Sequence, residues 1–577
     1  MFRLALVIIL LANPFYPRLQ ANEIHVSSIA AMQSAIDSAS AGDVIVLENG
    51  TYLNNALAIG TSNIIVRSAA PGGVYLNGTD VIVITGSYVT FSGFQFTSNT
   101  TITGSVIIVS GNHNTLTQLN FNGYSADHLI YISGQYNTVS FSNFQNKLAV
   151  LTSKGGTGDL VQIIPNVSVP GYNTIRYCSF QHMPGLGGDF GNECIRIGDG
   201  AYSTMISRTI VEYCYFEDTG LGDSETISVK SRENVLRYNT MNNNPDAMFA
   251  FRNGDNNVAY GNFFIKSGGI RCKQANNIFC YNNYFELAGT GQTSGLPGKG
   301  TAPVYLEYFG TGYGDNFNFI NNTFYECTAS VIQSPLTNCT WANNIFKQSS
   351  GSIFSGSTSG QTFAGNIYYG TLGFSVSSGM TSVDPQLVKN SDGYYGLSSS
   401  SPAIDASTAS YPPILDIAGI DDDPSLLLDI SGRSRPVSGM LKDVGCSEYN
   451  VTGTVTNRPL KLSDVGPSYL GGPVTSVAKD QGRTAPGAPP SGFQLDEAYP
   501  NPFNPTTTIR FELPGASQIE LRILDMLGRP VATLVEGHVE GGPHVAVWDA
   551  SNFPSGVYFV QLQSERRVLT KKLTLVK

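Results

Sequence analysis

Charge is scarce in this chain. Only 13% of its 577 residues are charged, about half the usual fraction. The formal net charge is −10 and the pI is about 5.1, which argues against nucleic-acid binding through a broad basic face. An acidic polymer could bind only where basic residues gather locally, so the few charged clusters in the sequence carry most of the functional information.

The sequence also lacks the spacing of Cys and His residues that is typical of metal-binding motifs. The eight cysteines are spread between Cys178 and Cys446 without a CxxC pair, which excludes a small disulfide framework and gives no zinc motif. Cys178 and Cys214 occupy the same place in two similar segments, and we interpret them as buried core thiols. No histidine lies near the charged cluster described below, so a histidine-based hydrolase has no support.

Long apolar runs are confined to the N-terminus. Residues 1–21 combine Arg3, an apolar run to Ala12 and a plausible cleavage site before Asn22, which predicts a secretory signal peptide. A membrane anchor is the alternative, but the run is too short to span a bilayer and Pro14 follows it. No other run of 18 apolar residues exists, so we expect a soluble mature protein without a membrane span.

A short pattern of Asn, apolar residues and an aromatic residue recurs from about residue 60 to residue 347. The aromatic positions of successive copies are 22 or 23 residues apart, and 36 apart from Phe144 to Phe180 and from Phe180 to Phe216. Such a period with short alternating strands is the signature of a solenoid. We predict an all-β, right-handed parallel β-helix over residues 22–450, with most of its Asn residues serving as structural ladders.

The regions at either end of the repeat differ from it. Ser28 to Ala39 has helical periodicity and is predicted to cap the open end of the solenoid. Residues 451–492 contain a stretch rich in Pro and Gly and are predicted to be a linker. Residues 493–577 contain about seven short strands, which suggest a small β-sandwich.

Two carboxylates, a lysine and an arginine stand out against this neutral background. Asp223 and Glu225 share one strand face, and Lys230 and Arg252 are 22 residues apart, which is one rung. Pointing both carboxylates outward requires a corner between Glu225 and the inward Ile227. A salt-bridged surface patch is the plain interpretation of this cluster.

The functional alternative is a bound Ca²⁺ with further oxygen ligands, for which Asn192 and Glu193 lie one rung earlier. Ca²⁺ would acidify the α-proton of a uronate, a lysine could remove that proton, and an arginine could stabilise the resulting charge. Hydrolysis of a glycosidic bond by paired carboxylates remains open. However, Asp223 and Glu225 lie only about 7 Å apart by strand rise, and their cationic neighbours fit elimination better.

Five segments of the chain resemble a known family. Ser28 to Tyr52 is similar to the N-terminal cap and first strand of polysaccharide lyase family 6, which contains alginate lyases and chondroitinase B. Four further segments resemble the core motifs of that family in the same order, and they are Glu193 to Gly198, Asp223 to Ser231, Phe251 to Gly254 and Gly268 to Arg271.

The resemblance implies a set of site residues. Lys230 would be the Brønsted base and Arg252 the Brønsted acid. Ca²⁺ would be held by Asn192, Asp223 and Glu225, and Arg196, Asn253 and Arg271 would contact the substrate. Two positions depart from the family pattern. Asp223 stands where the family has Glu, and Asn253 stands where it often has His.

The C-terminal region resembles a second family. Tyr499-Pro-Asn-Pro-Phe503, Leu527-Gly-Arg529 and Gly556-Val-Tyr558 are similar to the C-terminal sorting domain of the type IX secretion system. The resemblance implies the secretion machinery as a partner and a secreted or cell-surface location reached through the periplasm. A carbohydrate-binding sandwich is the alternative.

Together these features predict a secreted, monomeric alginate lyase that cleaves by Ca²⁺-assisted β-elimination and yields unsaturated oligosaccharides. A chondroitin B (dermatan sulfate) lyase of the same fold is the second hypothesis. A glycan-binding β-helix without catalytic activity is the third.

Overall fold

The computed structural model divides the chain into two compact units, Met1–Pro473 and Val474–Lys577. The predicted signal peptide and part of the predicted linker lie outside the residues that the structure describes. The described residues are 22–576 except 98–100, 148–157, 184–192, 220–224, 246, 291–301, 309–313, 334–335, 337, 409, 421–422, 424–425, 437–440, 450, 452–454, 474–493, 496–497, 499–502, 504–505, 514–516, 527, 540–541 and 565–566.

The first unit is a solenoid of three long parallel sheets, and the chain visits them in the same order on every rung. This confirms the predicted parallel β-helix. Sheet I consists of Glu23–Val26, Val44–Leu47, Ile65–Ser68, Thr90–Ser92, Thr115–Thr117, Thr138–Ser140, Thr174–Arg176, Ile210–Glu212, Val235–Arg237, Val258–Tyr260, Asn276–Tyr281, Asp315–Ile320, Cys339–Ala342 and Gln361–Ala364.

Sheet II consists of Gly50–Leu53, Val74–Asn77, Phe94–Phe96, Asn120–Asn122, Asn143–Gln145, Ser179–Gln181, Tyr215–Glu217, Thr240–Asn242, Phe263–Ile265, Tyr284–Glu286, Thr323–Tyr325, Ile345–Ser352, Asn366–Thr371 and Met380–Ser382. Sheet III consists of Ala56–Ile59, Val81–Ile84, Thr101–Val109, Ser125–Ile132, Val161–Ile163, Ile195–Gly198, Glu225–Lys230, Met248–Arg252, Ile270–Lys273, Val304–Glu307, Ser330–Ile332 and Phe354–Gly356.

Identical positions of successive rungs stack inside the solenoid. The rings of Phe96, Phe121, Phe144, Phe180 and Phe216 follow one another at 4.4–5.2 Å with nearly parallel planes, and such pairs add about 0.5–1.5 kcal/mol each beyond their burial. The insertions that lengthen the repeat to 36 residues therefore leave the rung register intact.

Buried asparagines form the predicted ladder at one corner. The side-chain amide of Asn262 donates to Asn283, Asn283 to Asn322, Asn322 to Asn344, and Asn344 to Asn366, at 2.9–3.1 Å. These contacts satisfy polar groups that burial would otherwise penalise, so these residues are structural.

The N-terminal end is closed by the predicted helix, which runs over Ile29–Ser38. The Ser28 side chain accepts from the Ala31 amide and caps the first turn. Met32 and Ile36 are fully buried against the first rung. None of the helices in the described part of the chain is long and apolar enough to cross a membrane.

After the last rung the chain runs back along the outside of the solenoid. Residues 383–473, here called the return segment, contribute two short antiparallel strands, Leu387–Lys389 and Tyr395–Leu397. Its apolar residues, among them Ile414 and Ile417, pack on outward residues of sheet I such as Val258, and other parts of it cover sheet II. Short 3₁₀ turns lie at Gly200–Tyr202, Leu462–Asp464 and Ser468–Leu470.

The return segment extends further than the composition indicated. Asn457 donates to the Gly261 carbonyl oxygen at 2.9 Å, and the Tyr469 hydroxyl to that of Gln118 at 3.1 Å. The first unit therefore continues to Pro473, and the predicted linker from 451 shares residues with it. The Pro and Gly residues there belong to a return segment that packs on the solenoid and not to a free linker.

The second unit contains two antiparallel sheets. One comprises Gln494–Leu495, Thr506–Leu513 and Gly542–Asp549, and the other Pro530–Val539, Ser517–Leu524, Gly556–Ser564 and Val568–Leu575. Their apolar residues share one core around Trp548, as in a small sandwich.

Candidate active site

The predicted site residues lie on the outer face of sheet III. Val229 pairs with Phe251 in neighbouring strands, so Lys230 and Arg252, one position further along, stand on adjacent rungs. Arg252 in turn pairs with Lys273, and Lys273 with Glu307. One stripe of the sheet thus carries three cations on consecutive rungs, as the 22-residue spacing of Lys230 and Arg252 predicts.

Glu225 reaches the same face through an irregularity in its strand. The register between the strands Glu225–Lys230 and Met248–Arg252 shifts between Glu225 and Ile227. This is the position where side-chain parity required a corner. The bulge turns the carboxylate of Glu225 outward while Ile227 stays in the core.

The Glu225 carboxylate is buried and surrounded by cations. Its Oε1 accepts from Nη1 of Arg252 and from Nη1 of Arg271, each at 3.2 Å, and its Oε2 accepts from the Ser228 hydroxyl at 2.5 Å. Burial favours the neutral acid, but Arg271, Arg252 and Lys230 together bring the pKa of Glu225 below its usual value. Glu225 is therefore an anion at neutral pH.

Glu193 lies one rung earlier and faces the lysine. Its Oε1 is 3.6 Å from Nζ of Lys230, and its side chain is 3% exposed. Burial, reinforced by the neighbouring Asp159 carboxylate, raises the pKa of Glu193 well above its ordinary value. Its Oε2 is buried, and no N–H or O–H donor among the described residues reaches it.

Three residues that sequence reasoning did not select extend this cluster. Asp159 is fully buried, and its Oδ2 is 2.9 Å from Nε of Arg196 and 3.9 Å from Nδ1 of His128. Burial, assisted by Arg196 and Lys147, lowers the pKa of His128 to about 4. Burial also lowers the pKa of Lys147 to about 8.

The sequence does contain a signal for Asp159. Asp159, Glu193 and Glu225 each precede by two positions an inward residue of sheet III, and those inward residues pair rung by rung. Aligning the rungs instead of searching for local motifs would have placed these three carboxylates in one row. His128 and Lys147 carry no such pattern.

Arg271 has a position that its sequence motif did not indicate. It is 2% exposed, and it bridges Glu225 and Glu307, with its Nε donating to Oε2 of Glu307 at 2.8 Å. Nζ of Lys273 lies 3.4 Å from Oε1 of Glu307. Arg271 is thus embedded between two carboxylates, and its contact with a substrate remains a prediction.

The other predicted substrate contacts are more accessible. Arg196 is half-buried on sheet III and pairs with Asp159. Asn253 directly follows Arg252 in a left-handed conformation, with φ of 62°, which Asn tolerates better than most residues. Its amide donates to the Lys273 carbonyl oxygen at 3.2 Å.

Two of the three predicted metal ligands, Asn192 and Asp223, lie outside the described residues. Within the described part no three His, Cys, Asp or Glu side chains converge as a metal site. The buried Oε2 of Glu193, near Glu225 and reached by no described N–H or O–H donor, is a hard oxygen donor of the type that Ca²⁺ takes. The donor chemistry of the site therefore fits the predicted cation.

Two segments of the chain match the models of known protein families. Residues 26–305 match the model of the chondroitinase B family. This segment covers most of the solenoid, which is therefore similar to that family. This confirms the resemblance to polysaccharide lyase family 6. Residues 497–576 match the secretion system C-terminal sorting domain, which directs the protein through type IX secretion to an extracellular or cell-surface location. No curated protein sequence matches the chain.

Solved structures share the fold. The PL6 family alginate lyase AlyGC is 22% identical with a TM-score of 0.54, over 68% of this chain and 59% of AlyGC. A PL6 alginate lyase in complex with a trisaccharide is 18% identical with a TM-score of 0.53, over 65% of this chain and 91% of its own. Alginate lyase AlyF-OU02 with G6 is 18% identical with a TM-score of 0.52, over 66% and 92%. The chain spans less than two thirds of AlyGC.

Proposed function

We propose that this protein is a secreted lyase that cleaves alginate by β-elimination. The observation that carries the proposal is the pair Lys230 and Arg252 on adjacent rungs of sheet III, with the Glu225 anion on the strand of Lys230 and hydrogen-bonded to Arg252. The match to the chondroitinase B family model supports a lyase acting on polysaccharides. Alginate is favoured because the structural neighbours described above are named as alginate lyases.

The position of the site on the solenoid also supports a polymeric substrate. The described contacts of the return segment fall on sheets I and II and on the turns that flank sheet I. The charged stripe of sheet III stands apart from them. Its cations are locally dense in an otherwise acidic protein, which is the arrangement needed to attract a polyanion.

The proposed chemistry assigns one proton transfer to each residue of the pair. Nζ of Lys230 removes the proton from the carbon that bears the uronate carboxylate. The glycosidic oxygen on the adjacent carbon leaves with its bonding electrons, and a carbon–carbon double bond forms in the sugar ring. Arg252 lies beside the departing oxygen, where its guanidinium stabilises negative charge and delivers a proton.

Glu225 sets the geometry of this pair. Its hydrogen bond to Nη1 of Arg252 at 3.2 Å orients the guanidinium on the face that carries Lys230. Because the carboxylate is anionic and only 1% exposed, its interaction with Arg252 is little screened by solvent. Orientation of this kind supplies a large share of enzymatic rate.

Ca²⁺ belongs to the proposal as a partner of the same carboxylate. Asp223, Glu225 and Asn192 would hold it, and Oε2 of Glu193 would add a donor. Bound there, it would supply the positive charge that neutralises a substrate carboxylate and makes its α-proton more acidic.

Dermatan sulfate is the second candidate substrate. The observation that favours it is the family model itself, which is that of chondroitinase B. Both substrates contain uronates, so the same pair of residues can act on either.

Ultraviolet absorbance of the unsaturated uronate tests the proposal. Purified protein is mixed with alginate or dermatan sulfate, with and without a chelator. We expect absorbance to rise with alginate and the chelator to slow that rise. A rise with dermatan sulfate alone would transfer the assignment to the second candidate, and no rise with either would contradict a lyase of these uronates.

Lys230→Ala identifies the base. The variant should lose product formation and keep its melting temperature, since one half-buried lysine contributes little to stability. Lys347→Ala is the matched control, because Lys347 is also half-buried and ion-paired, 2.7 Å from Asp384. Equal activity in both variants would contradict the assignment. A glycan-binding protein without activity would bind alginate equally well with Ala at position 230.

A further inference from the structure

Glu307 is a half-buried carboxylate at the end of the strand Val304–Glu307, two rungs beyond Arg252. Its two oxygens are divided between two cations. Oε2 accepts from Nε of Arg271 at 2.8 Å and also from Nη2 of the same guanidinium, and Oε1 is 3.4 Å from Nζ of Lys273. Glu307 therefore compensates the charge of both cations that stand beside Arg252 on the next rung.

The contacts of Arg271 are unequal. Its two hydrogen bonds to Glu307 engage one edge of the guanidinium, the geometry of a strong charge-assisted pair. Its remaining contact to Oε1 of Glu225 is longer, at 3.2 Å. Oε1 of Glu225 is the same atom that accepts from Arg252, also at 3.2 Å. Arg271 and Arg252 thus share one carboxylate oxygen, and a closer approach by either guanidinium would weaken its hold on the other.

We propose that Glu307 is a positioning residue for Arg252, acting through Arg271 and Glu225. By holding Arg271 on its own carboxylate, Glu307 leaves Oε1 of Glu225 available to orient Arg252. Arg271 is accordingly a buried bridge in this role and not a ligand of the substrate carboxylate. The inference rests on the proposed function for its kinetic consequences, but the geometry it describes exists independently of the substrate.

Removing the charge of Glu307 has a defined consequence. In Glu307→Gln the side chain keeps its shape but no longer compensates Arg271, whose other ion pair among the described residues is with Glu225. The guanidinium shifts towards Glu225 and weakens the hold of that carboxylate on Arg252. At the same time the face becomes more positive, which strengthens its attraction for a polyanion.

These two effects separate positioning from substrate binding. A misplaced acid lowers kcat, and displacement by about 1 Å is enough for a loss of about 10²-fold. A more positive face does not raise KM. We therefore expect Glu307→Gln to lower kcat on the active polyuronate by about 10- to 100-fold with KM unchanged or reduced. If Arg271 instead binds the substrate, disturbing it raises KM.

Glu212→Gln is the matched control. Glu212 is a buried carboxylate whose Oε2 also accepts from an arginine Nε at 2.8 Å, that of Arg237, but this pair lies on sheet I. A purely structural role for Glu307 predicts that the two variants lose similar stability and similar activity. We expect Glu212→Gln to keep the kcat of the wild type. Glu307→Asp retains the charge and should recover part of the lost kcat, and it serves as the test if Glu307→Gln does not fold.

Each kinetic outcome either supports or overturns the positioning role of Glu307. A fall in kcat confined to Glu307→Gln and partly restored in Glu307→Asp supports the inference. Equal kcat in Glu307→Gln and Glu212→Gln, or a raised KM at unchanged kcat, overturns it. An inactive wild type overturns the proposed function instead, and a crystal structure of Glu307→Gln still judges the positioning. Arg271 closer to Glu225 with a longer distance from Arg252 to Glu225 supports it, and an unchanged arrangement refutes it.

Discussion

The outer faces of sheets I and III are built on the same rungs but bear different residues. The outward positions of sheet I are apolar over its later strands, with Val235 and Val258 fully buried under the return segment. The corresponding region of sheet III carries Lys230, Arg252 and Lys273. The three sheets of a solenoid share the same backbone geometry. The difference between the outer faces of sheets I and III therefore arises from their outward side chains alone.

The two faces also hold their charges differently. On sheet I, Arg237 and Glu212 form an ion pair in which one acid meets one base. On sheet III, one oxygen of Glu225 is shared by two arginines, and no N–H or O–H donor among the described residues reaches Oε2 of Glu193. Incompletely satisfied buried charges destabilise a fold, and their concentration on one face is typical of a functional site.

The strongest test of this contrast is the removal of an arginine from each face. Arg252→Ala should lower kcat on the active polyuronate by about 10³-fold, in the range that general acid–base catalysis supplies. Arg237→Ala on sheet I should lower the melting temperature and leave kcat of the folded enzyme close to that of the wild type. Steady-state kinetics by ultraviolet absorbance and a thermal melt check both, and comparable kcat in the two variants would contradict the division of roles.

A substitution of Arg435 can weaken the packing of the return segment on sheets I and II. This arginine is fully buried in the return segment, pairs with Glu448 and donates to the Gly445 carbonyl oxygen at 2.9 Å. Arg435→Ala leaves the carboxylate of Glu448 buried without its cation, which costs about 3–5 kcal/mol. Urea unfolding should show the loss, while kcat below the transition stays unchanged. A large fall in kcat without loss of stability would show that the covering acts on sheet III.

The smallest effect expected is a pH dependence from His128 at the edge of the sheet III cluster. Burial lowers its pKa from 6.5 to about 4, so the unfolded chain binds a proton between these values and the folded protein does not. Its contribution to stability is present above pH 6.5 and is lost as the pH falls towards 4, by at most about 3 kcal/mol.

Thermal unfolding at pH 7 and pH 4.5 measures this contribution. The loss of stability on acidification should be smaller in His128→Gln than in the wild type. His182→Gln is the control, because that side chain is 52% exposed and should leave the loss unchanged. An identical pH dependence in all three proteins would refute the buried, neutral state of His128.

Much of the fold was predictable from the sequence because a solenoid repeats its local rules. The recurrence of Asn and aromatic residues indicated the rungs, and Ser28 with Met32 and Ile36 indicated the cap. The spacing of Lys230 and Arg252 placed them on adjacent rungs. Even the bulge after Glu225 followed from side-chain parity.

The rest of the site escaped a search for local motifs, since its contacts cross rungs of unequal length. Asp159 and Glu193 are 34 residues apart, as are Lys273 and Glu307, so no fixed period aligns them. The length of the return segment was missed for another reason. Its Pro and Gly residues are typical of linkers, and its packing on the solenoid depends on isolated contacts such as that of Asn457 with Gly261.

The sequence by itself determined the architecture, the sorting domain and the identity of the proposed base and acid, because strand alternation, repeat period and short motifs are local properties. Only the tertiary structure decided which cations share a carboxylate. The two contacts to Oε1 of Glu225 and the withdrawal of Arg271 onto Glu307 join side chains from four strands. The strength of each charged contact depends on burial and distance, and both exist only once the rungs have stacked.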